Sequence, residues 1–196
     1  MLWDASLLAT TIPQTLRCVH QAKPHTRPIN ALASLDGLDG STRVYSADSM
    51  GRILEHTLNI STRRLEVLRE ITGFGTAVYD LRAGWAREEV DGDAARSGDD
   101  AFVSAVEEDD DGARVRRVAE LWAASGDKSA AGYRLSPLLQ PPASTTSARS
   151  TSSQPALGTQ PALAQPFIRI PHDDFVKTVL PLHLYLPNDT AVVTGG

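Results

Sequence analysis

The sequence predicts an all-β chain made of short antiparallel meanders. Apolar and polar residues alternate in short runs, such as residues 44–46 and 76–81, and this alternation is typical of half-buried strands. Glycine and proline, at 14 and 12 positions of the chain, recur between these runs and predict turns. No long run has the periodicity of an amphipathic helix, so a helical fold is not favoured.

The first predicted unit covers residues 25–72. Its first strand begins at Ile29 and is too short to be a helix. A second strand around Tyr45 ends at a turn that contains Gly51, and a third strand begins at Ile53. One such meander has a face to bury, so we expect neighbouring units to cover it.

The second predicted unit covers residues 73–138 and contains an acidic insertion, residues 88–112. This insertion holds eleven acidic residues and one arginine, which is typical of a solvated loop. Residues 139–165 are rich in Pro, Ser, Thr and Gln, and they carry too little apolar surface to offset the entropy of ordering, so we expect them to be a disordered insertion. A truncated third unit covers residues 167–196, and an end fragment covers residues 1–24.

Several segments of the chain repeat a common pattern. Residues 24–32 and 171–179 both begin with Pro-His and continue with apolar residues at matching positions. Residues 121–133 parallel residues 44–56 in the same way, and the small-residue strand recurs at 191–196. Internal similarity of this kind is the sequence signature of a repeat architecture.

This order of loop histidine, strand, turn and strand resembles the WD-repeat β-propeller family. A repeat of that family runs from Gly-His through an apolar strand and a Ser-Gly-Ser-x-Asp-Gly turn to a strand that ends in Trp-Asp. The resemblance implies an all-β, WD-repeat-like propeller segment of about three antiparallel meander blades, incomplete and interrupted by disordered insertions. It assigns structural repeat positions to His25, Ser46, Gly51, Ser125, Asp127, Tyr133 and His172.

The chain departs from the family pattern at several positions. Met50 stands at the turn aspartate, and Phe74 stands where a loop histidine is expected. His56 and Tyr133 stand at the strand tryptophan, whereas Trp3-Asp4 matches the dipeptide that ends a repeat. Since both ends resemble parts of repeats, we expect the isolated chain to be poorly soluble, oligomeric or dependent on a partner.

His25 and His172 have two interpretations, one chemical and one structural. Metal ligands and catalytic bases need partner groups, but the other histidines show no ligand spacing and Cys18 is the only cysteine. The resemblance implies instead that each loop histidine forms a hydrogen bond with a Ser or Thr of its own repeat. We therefore expect no catalytic, metal-binding or cofactor-binding residue.

The composition also argues against several classes of partner. No basic cluster with interleaved aromatic residues suggests nucleic-acid binding. No apolar run reaches the roughly 18 to 20 residues that a membrane span needs, so no membrane association is expected. The N-terminus lacks the basic and apolar regions of a secretory signal, which predicts an intracellular protein.

These observations predict a non-catalytic scaffold for protein–protein interactions, because propellers present binding loops on a rigid frame. Its partners would be other proteins, with no cofactor and no small-molecule substrate. Two alternatives stay open. A hydrolase-like enzyme on a propeller frame would need convergent acid and base groups, and a truncated gene product would have no independent function.

Overall fold

The computed structural model describes residues 2–4, 17–37, 41–59, 61–71, 73–89, 107–108, 114–135, 166–185 and 191–196. A short 3₁₀ turn, Leu182–Leu184, is its one described helical element. In chain order the strands are β1 (Leu2–Asp4), β2 (Arg17–His20), β3 (Ile29–Asp36), β4 (Thr42–Asp48), β5 (Ile53–Asn59), β6 (Arg64–Ile71), β7 (Val78–Glu89), β8 (Glu107–Glu108), β9 (Arg114–Ser125), β10 (Ser129–Arg134), β11 (Ile168–Pro171), β12 (Thr178–Pro181) and β13 (Val192–Gly195).

Sheet 1 is the four-stranded antiparallel meander β3-β4-β5-β6. Its central register pairs Tyr45 with Glu55 and Glu55 with Arg69. The β4–β5 turn requires a glycine, because Gly51 has a φ of +84° and a Cβ there would lie 2.6 Å from the carbonyl oxygens of Phe74 and Thr76. This turn therefore fixes the distance between sheet 1 and the segment that leads into β7.

Sheet 2 has the path β7-β9-β10-β11, and the short strand β8 also pairs with β9. Strand β11 pairs with β10, so residues 168–171 belong to sheet 2, whereas the sequence division placed them in the third unit. The acidic insertion, predicted over residues 88–112, is strand at both described parts, since Glu88 and Glu89 end β7 and residues 107–108 form β8. Residues 139–165 lie outside the described residues.

Sheets 1 and 2 pack face to face around the larger apolar core. Alternation along each strand divides the side chains: Tyr45 and Ala47 of β4 point into this core, whereas Ser46 and Asp48 lie on the opposite face. The core members are Ala31, Leu35, Tyr45, Ala47, Ile53, Ile71, Phe74, Val78, Leu81, Ala119, Leu121, Ala123, Ala131, Tyr133 and Leu135.

The other face of sheet 2 carries a second core, against β12 and β13, which form sheet 3. Trp122, Ala124 and Ala130 of sheet 2 meet Val176 and Val179 there. The first strands of the three sheets lie side by side, with β3 against β7 and β7 against β12. Sheets 1, 2 and 3 thus form a series in chain order.

The all-β prediction is confirmed, because every described element apart from the 3₁₀ turn is a strand and every described pairing is antiparallel. Each described sheet is open, and β1 and β2 form a separate two-stranded sheet, the N-terminal pair. Among the described residues, no helix is long and apolar enough to cross a bilayer.

Candidate functional site

A buried polar network on sheet 1 contains two of the predicted repeat positions, His25 and Ser46. Ser46 and Asp48 are two residues apart on β4, so both side chains lie on the face that points away from sheet 2. His25 comes from the segment before β3 and contacts both of them. Its Nδ1 lies 2.9 Å from Asp48 Oδ2, and its Nε2 lies 2.7 Å from Ser46 Oγ.

His56 of β5 completes this network. Its Nε2 lies 2.7 Å from Ser46 Oγ. One proton arrangement satisfies all three bonds with neutral histidines. His25 Nδ1–H donates to the Asp48 carboxylate, the Ser46 hydroxyl donates to His25 Nε2, and His56 Nε2–H donates to Ser46 Oγ.

Asp48 also holds the β4–β5 turn. Its Oδ1 accepts hydrogen bonds from the backbone N–H groups of Met50, at 2.9 Å, and Arg52, at 3.2 Å. The Arg52 guanidinium in turn donates to the Pro24 carbonyl oxygen at 2.9 Å. The segment that carries His25 is therefore also tied to sheet 1 at Pro24, the residue before the histidine.

Burial and charge set the protonation of this network. Burial, followed by the nearby charge of His25, lowers the pKa of His56 to about 4. Burial alone would raise the pKa of Asp48, but hydrogen bonds from His25 and from the backbone of Met50 and Arg52 hold it below its ordinary value. At neutral pH the network therefore holds a carboxylate and a neutral His56.

The atom order Asp48–His25–Ser46 is that of a hydrolase triad, in which a carboxylate orients a histidine that accepts the serine proton. In a hydrolase the serine hydroxyl must be accessible to the substrate, so the exposure of these three side chains is the property to compare. The side chains of His25 and Asp48 are 2% exposed, and Ser46 is 3% exposed with its oxygen already bonded to two imidazoles. The Ser46 hydroxyl is therefore buried and already hydrogen-bonded within the described part of the chain.

Sheet 2 has Phe74 at the place of the loop histidine. The Phe74 ring meets the Tyr133 ring edge-on, with centroids 6.2 Å apart, and the Arg169 guanidinium lies 5.2 Å from the Phe74 centroid. Arg169 also donates to Asp127 Oδ2 and to Ser129 Oγ, each at 3.0 Å. An aromatic and cationic cluster thus replaces the histidine network in sheet 2.

Ser125, the predicted counterpart of the network serine, contacts the segment before β7 and its own turn, and its Oγ lies 3.4 Å from Thr76 Oγ1. Its hydroxyl donates to the Ala77 carbonyl oxygen at 3.1 Å and accepts from the Asp127 N–H at 3.3 Å. The Tyr133 hydroxyl is buried and has no hydrogen-bond partner within the described part of the chain. Burial raises its pKa to about 12.

In sheet 3 the loop histidine, His172, again contacts a hydroxyl group of the second strand. His172 Nε2 lies 2.9 Å from Thr194 Oγ1 of β13, as His25 lies beside Ser46 of β4. The two pairs have similar sequence separations, 22 and 21 residues. Sheets 1 and 3 therefore share a loop-histidine-to-hydroxyl contact on the second strand of each sheet.

The face of sheet 1 that points into the core also contains an ionic cluster. The fully buried Glu55 carboxylate accepts a hydrogen bond from Arg43 at 2.9 Å, one from Arg69, and one from the Tyr45 hydroxyl at 3.3 Å. Burial raises the pKa of Tyr45. Two guanidinium groups neutralise the acid, which suits a structural ion pair rather than a general acid.

A surface pocket of about 230 Å³ lies beside the 3₁₀ turn. It is lined by Trp85, Arg87, Arg117, His183, Leu184 and Tyr185. The lining has no serine, threonine, cysteine or carboxylate side chain, but His183 Nε2 lies 2.8 Å from Glu120 Oε2 just outside it. Among the described residues, no group of three or more His, Cys, Asp or Glu side chains could hold a metal ion.

Sequence reasoning missed Asp48, and it named His56 only as a departure at the strand tryptophan, without its hydrogen bond to Ser46. The resemblance placed the turn acid at position 50, which is Met50, and the actual acceptor is two residues earlier. Strand alternation would have found Asp48, because it shares a face with Ser46.

Comparison with protein-family models finds no match for this chain, and comparison with curated protein sequences finds no significant relative.

Proposed function

We propose that this chain is a non-catalytic protein-interaction scaffold built from WD-repeat-like propeller blades. The observation that carries this proposal is the repeated contact between a loop histidine and a hydroxyl on the second strand. The two pairs are His25–Ser46 and His172–Thr194, at 2.7 and 2.9 Å. The same contact in two sheets of one series supports a repeat architecture, in which each unit contacts its neighbours.

The buried polar groups support the non-catalytic part of the proposal. The Ser46 hydroxyl and the Glu55 carboxylate both have partners inside the frame, so neither is available to a substrate. Binding on such a frame belongs to its exposed turns and loops.

The edge that contains the β4–β5 turn, the start of β7 and the segment before β12, here called the rim, carries exposed apolar side chains. Met50 in the β4–β5 turn is 57% exposed, Tyr79 of β7 is 41% exposed, and Phe175 before β12 is 48% exposed. Gly51 of that turn packs on the backbone of Phe74, which leads into β7. Neighbouring exposed apolar residues are typical of protein-binding surfaces.

The rim can be tested by affinity capture from an extract of the source cells, read by quantitative mass spectrometry. The full chain is compared with the double variant Met50→Asp/Phe175→Asp and with Val67→Asp as a control, since Val67 is 49% exposed on the outer strand β6. We expect a set of proteins to be captured by the full chain and by the Val67→Asp control but not by the double variant. Equal retention by all three would contradict the proposal.

A second candidate function, a hydrolase, is favoured by the triad-like order of Asp48, His25 and Ser46. A fluorophosphonate probe distinguishes the two, because it labels a serine only when the hydroxyl is activated and accessible. We expect no labelling of the folded chain. Labelling that Ser46→Ala abolishes would favour the hydrolase and overturn the scaffold.

A further inference from the structure

The surface pocket beside the 3₁₀ turn lies where that turn packs on sheet 2. A Cβ placed at Gly84 of β7 would lie 3.1 Å from the Leu184 Cβ, so a glycine at this position allows the turn to approach the strand closely. The pocket of about 230 Å³ forms at the same place. This volume is below the roughly 300–1,000 Å³ of pockets for drug-sized ligands, so the pocket suits a compact ligand.

Two arginines of the lining oppose each other across sheet 2. Arg87 of β7 and Arg117 of β9 are direct cross-strand partners, and both residues are exposed. Like charges directly opposite one another destabilise a sheet. The adjacent register position has the contrary arrangement, since Glu88 pairs with Arg116 and a salt bridge of 2.6 Å joins their side chains. Positive charge is therefore concentrated at the pocket, where an anion between the two guanidinium groups would relieve their repulsion.

The chemistry of the guanidinium group selects the kind of anion. Each guanidinium has five N–H donors in a planar fork, so an arginine that has a protein partner still keeps donors for a ligand. Such forks bind phosphate oxygens in pairs. A phosphate monoester carries a charge of about −1.5 to −2 at neutral pH, which matches two arginines. Because no carboxylate side chain is in the lining, the pocket favours a phosphate over a cation.

Aromatic side chains form a second part of the lining. Trp85 precedes Arg87 by two residues on β7, so strand alternation places the two side chains on one face of the sheet. Tyr185 follows the 3₁₀ turn and is 54% exposed. Both residues line the pocket. Since aromatic side chains bind a flat ring by stacked or edge-on contacts, the lining favours a phosphate that is joined to an aromatic ring.

His183 of the lining is held by groups outside the pocket. Its Nε2–H donates to Glu120 Oε2 at 2.8 Å, and the same oxygen accepts from Trp122 Nε1–H at 2.9 Å. The Trp122 ring also meets the His183 ring edge-on, with centroids 5.7 Å apart. This side of the pocket is therefore positioned before a ligand binds, which lowers the entropic cost of binding.

We propose that this pocket binds an aryl phosphate, meaning a phosphate monoester on an aromatic ring. Arg87 and Arg117 donate to the phosphate oxygens, and the ring contacts Trp85 and Tyr185. The site goes beyond the scaffold proposed above, because none of its residues belongs to the rim. Tyr79 of the rim and Arg87 of the pocket lie near opposite ends of β7.

Isothermal titration calorimetry of the full chain tests the site with phenyl phosphate, inorganic phosphate and phenol as probes. Phenyl phosphate should bind saturably and more tightly than inorganic phosphate, and phenol should show no binding. Arg87→Gln and Arg117→Gln should each raise the dissociation constant of phenyl phosphate by at least about tenfold, because each removes charge-assisted hydrogen bonds. Arg64→Gln is the matched control and should bind as wild type does, since Arg64 is exposed on β6 and outside the lining.

Two further variants separate the anion from the ring and guard against misfolding. Tyr185→Leu should reduce the preference for phenyl phosphate over inorganic phosphate by at least about threefold, with unchanged binding of inorganic phosphate. Arg87→Lys replaces Arg87→Gln if the latter loses the wild-type circular dichroism spectrum. It should still weaken binding at least about threefold, because an ammonium group cannot form the paired bonds of a guanidinium.

A tyrosine-phosphorylated peptide identifies the source of the aryl phosphate. Displacement of phenyl phosphate by this peptide, but not by its unphosphorylated form, would support the site with a phosphotyrosine side chain as ligand. Binding of phenyl phosphate without such competition would support it with a free small molecule as ligand.

Three results would overturn the site. They are no saturable binding of phenyl phosphate at millimolar concentrations, equal binding by wild type, Arg87→Gln and Arg117→Gln, and equal affinity for phenyl phosphate and inorganic phosphate. Each would leave capture through the rim unchanged. Loss of rim-dependent capture with intact phenyl phosphate binding would overturn the scaffold alone.

Discussion

Sheets 1 and 2 hold the segment before their first strand by different chemistry. In sheet 1, His25 lies in a buried polar network with Asp48 and Ser46. In sheet 2, Phe74 occupies the corresponding place and packs on Tyr133 and beneath Arg169. The two contacts have the same structural effect, because each joins the segment before the first strand to the strands beside it.

The difference teaches that the architecture needs a contact at this place and not a particular side chain. A polar network is strong only when every member has a partner, and the loss of one leaves buried groups unpaired. An aromatic contact needs no matching protons and depends on area and packing. The His25 contact of the first sheet should therefore respond to pH, and the Phe74 contact of the second should not.

The largest expected effect comes from removing the aromatic contact. Phe74→Ala deletes a buried ring that contacts Tyr133 and Arg169, so it should lower the free energy of unfolding by about 3–4 kcal/mol. Urea unfolding measures this loss, with Phe175→Ala as a matched control because Phe175 is exposed. A loss below about 1 kcal/mol would show that sheet 2 does not depend on this ring.

The second largest expected effect is the pH dependence of stability, which arises from the network of sheet 1. The pKa of His56 is about 4 in the folded chain and 6.5 ordinarily, so between these values the unfolded chain binds more protons. Stability should therefore fall by up to about 3 kcal/mol as the pH drops from 6.5 to 4. The low pKa of Asp48 adds a further loss below its ordinary value of 3.8.

Unfolding midpoints at several pH values measure this effect. His56→Gln keeps a donor for Ser46 but does not titrate, so its stability should change much less across the same range. Phe74→Ala should keep the wild-type pH dependence, since Phe74 does not titrate and is not a member of the network that contains His56. Equal pH dependence in wild type and His56→Gln would show that other groups dominate.

A smaller loss is expected for His25→Ala. Asp48 keeps its two backbone donors and Ser46 keeps His56, so the free energy of unfolding should fall by about 2 kcal/mol. A double-mutant cycle with Ser46→Ala should give a coupling of about 1 kcal/mol. Additive effects of the two substitutions would contradict a direct His25–Ser46 interaction.

The smallest effect has the opposite sign. The Tyr133 hydroxyl is buried without a hydrogen-bond partner in the described residues, so Tyr133→Phe should stabilise the chain by about 1 kcal/mol. Tyr45→Phe is the matched control, because the Tyr45 hydroxyl donates to Glu55. That control should lose about 1 kcal/mol, and a loss in Tyr133→Phe as well would indicate a hidden partner.

The sequence by itself determined the fold class and much of the local order. Alternation around Tyr45 and a glycine at position 51 are local signals, since side-chain direction and backbone conformation depend on near neighbours. The structure has strands at 42–48 and 53–59 with this turn between them. The loop position of His25 followed from internal repetition, which is also readable along one chain.

The tertiary structure decided which distant residues meet. Asp48, rather than position 50, accepts the His25 hydrogen bond, because the residue that reaches a loop depends on how the loop crosses the sheet. Strand β11 pairs with β10 although more than 30 residues of sequence separate them. Such pairings are chosen by packing over the whole series of sheets, and a local pattern in one strand is compatible with many partners.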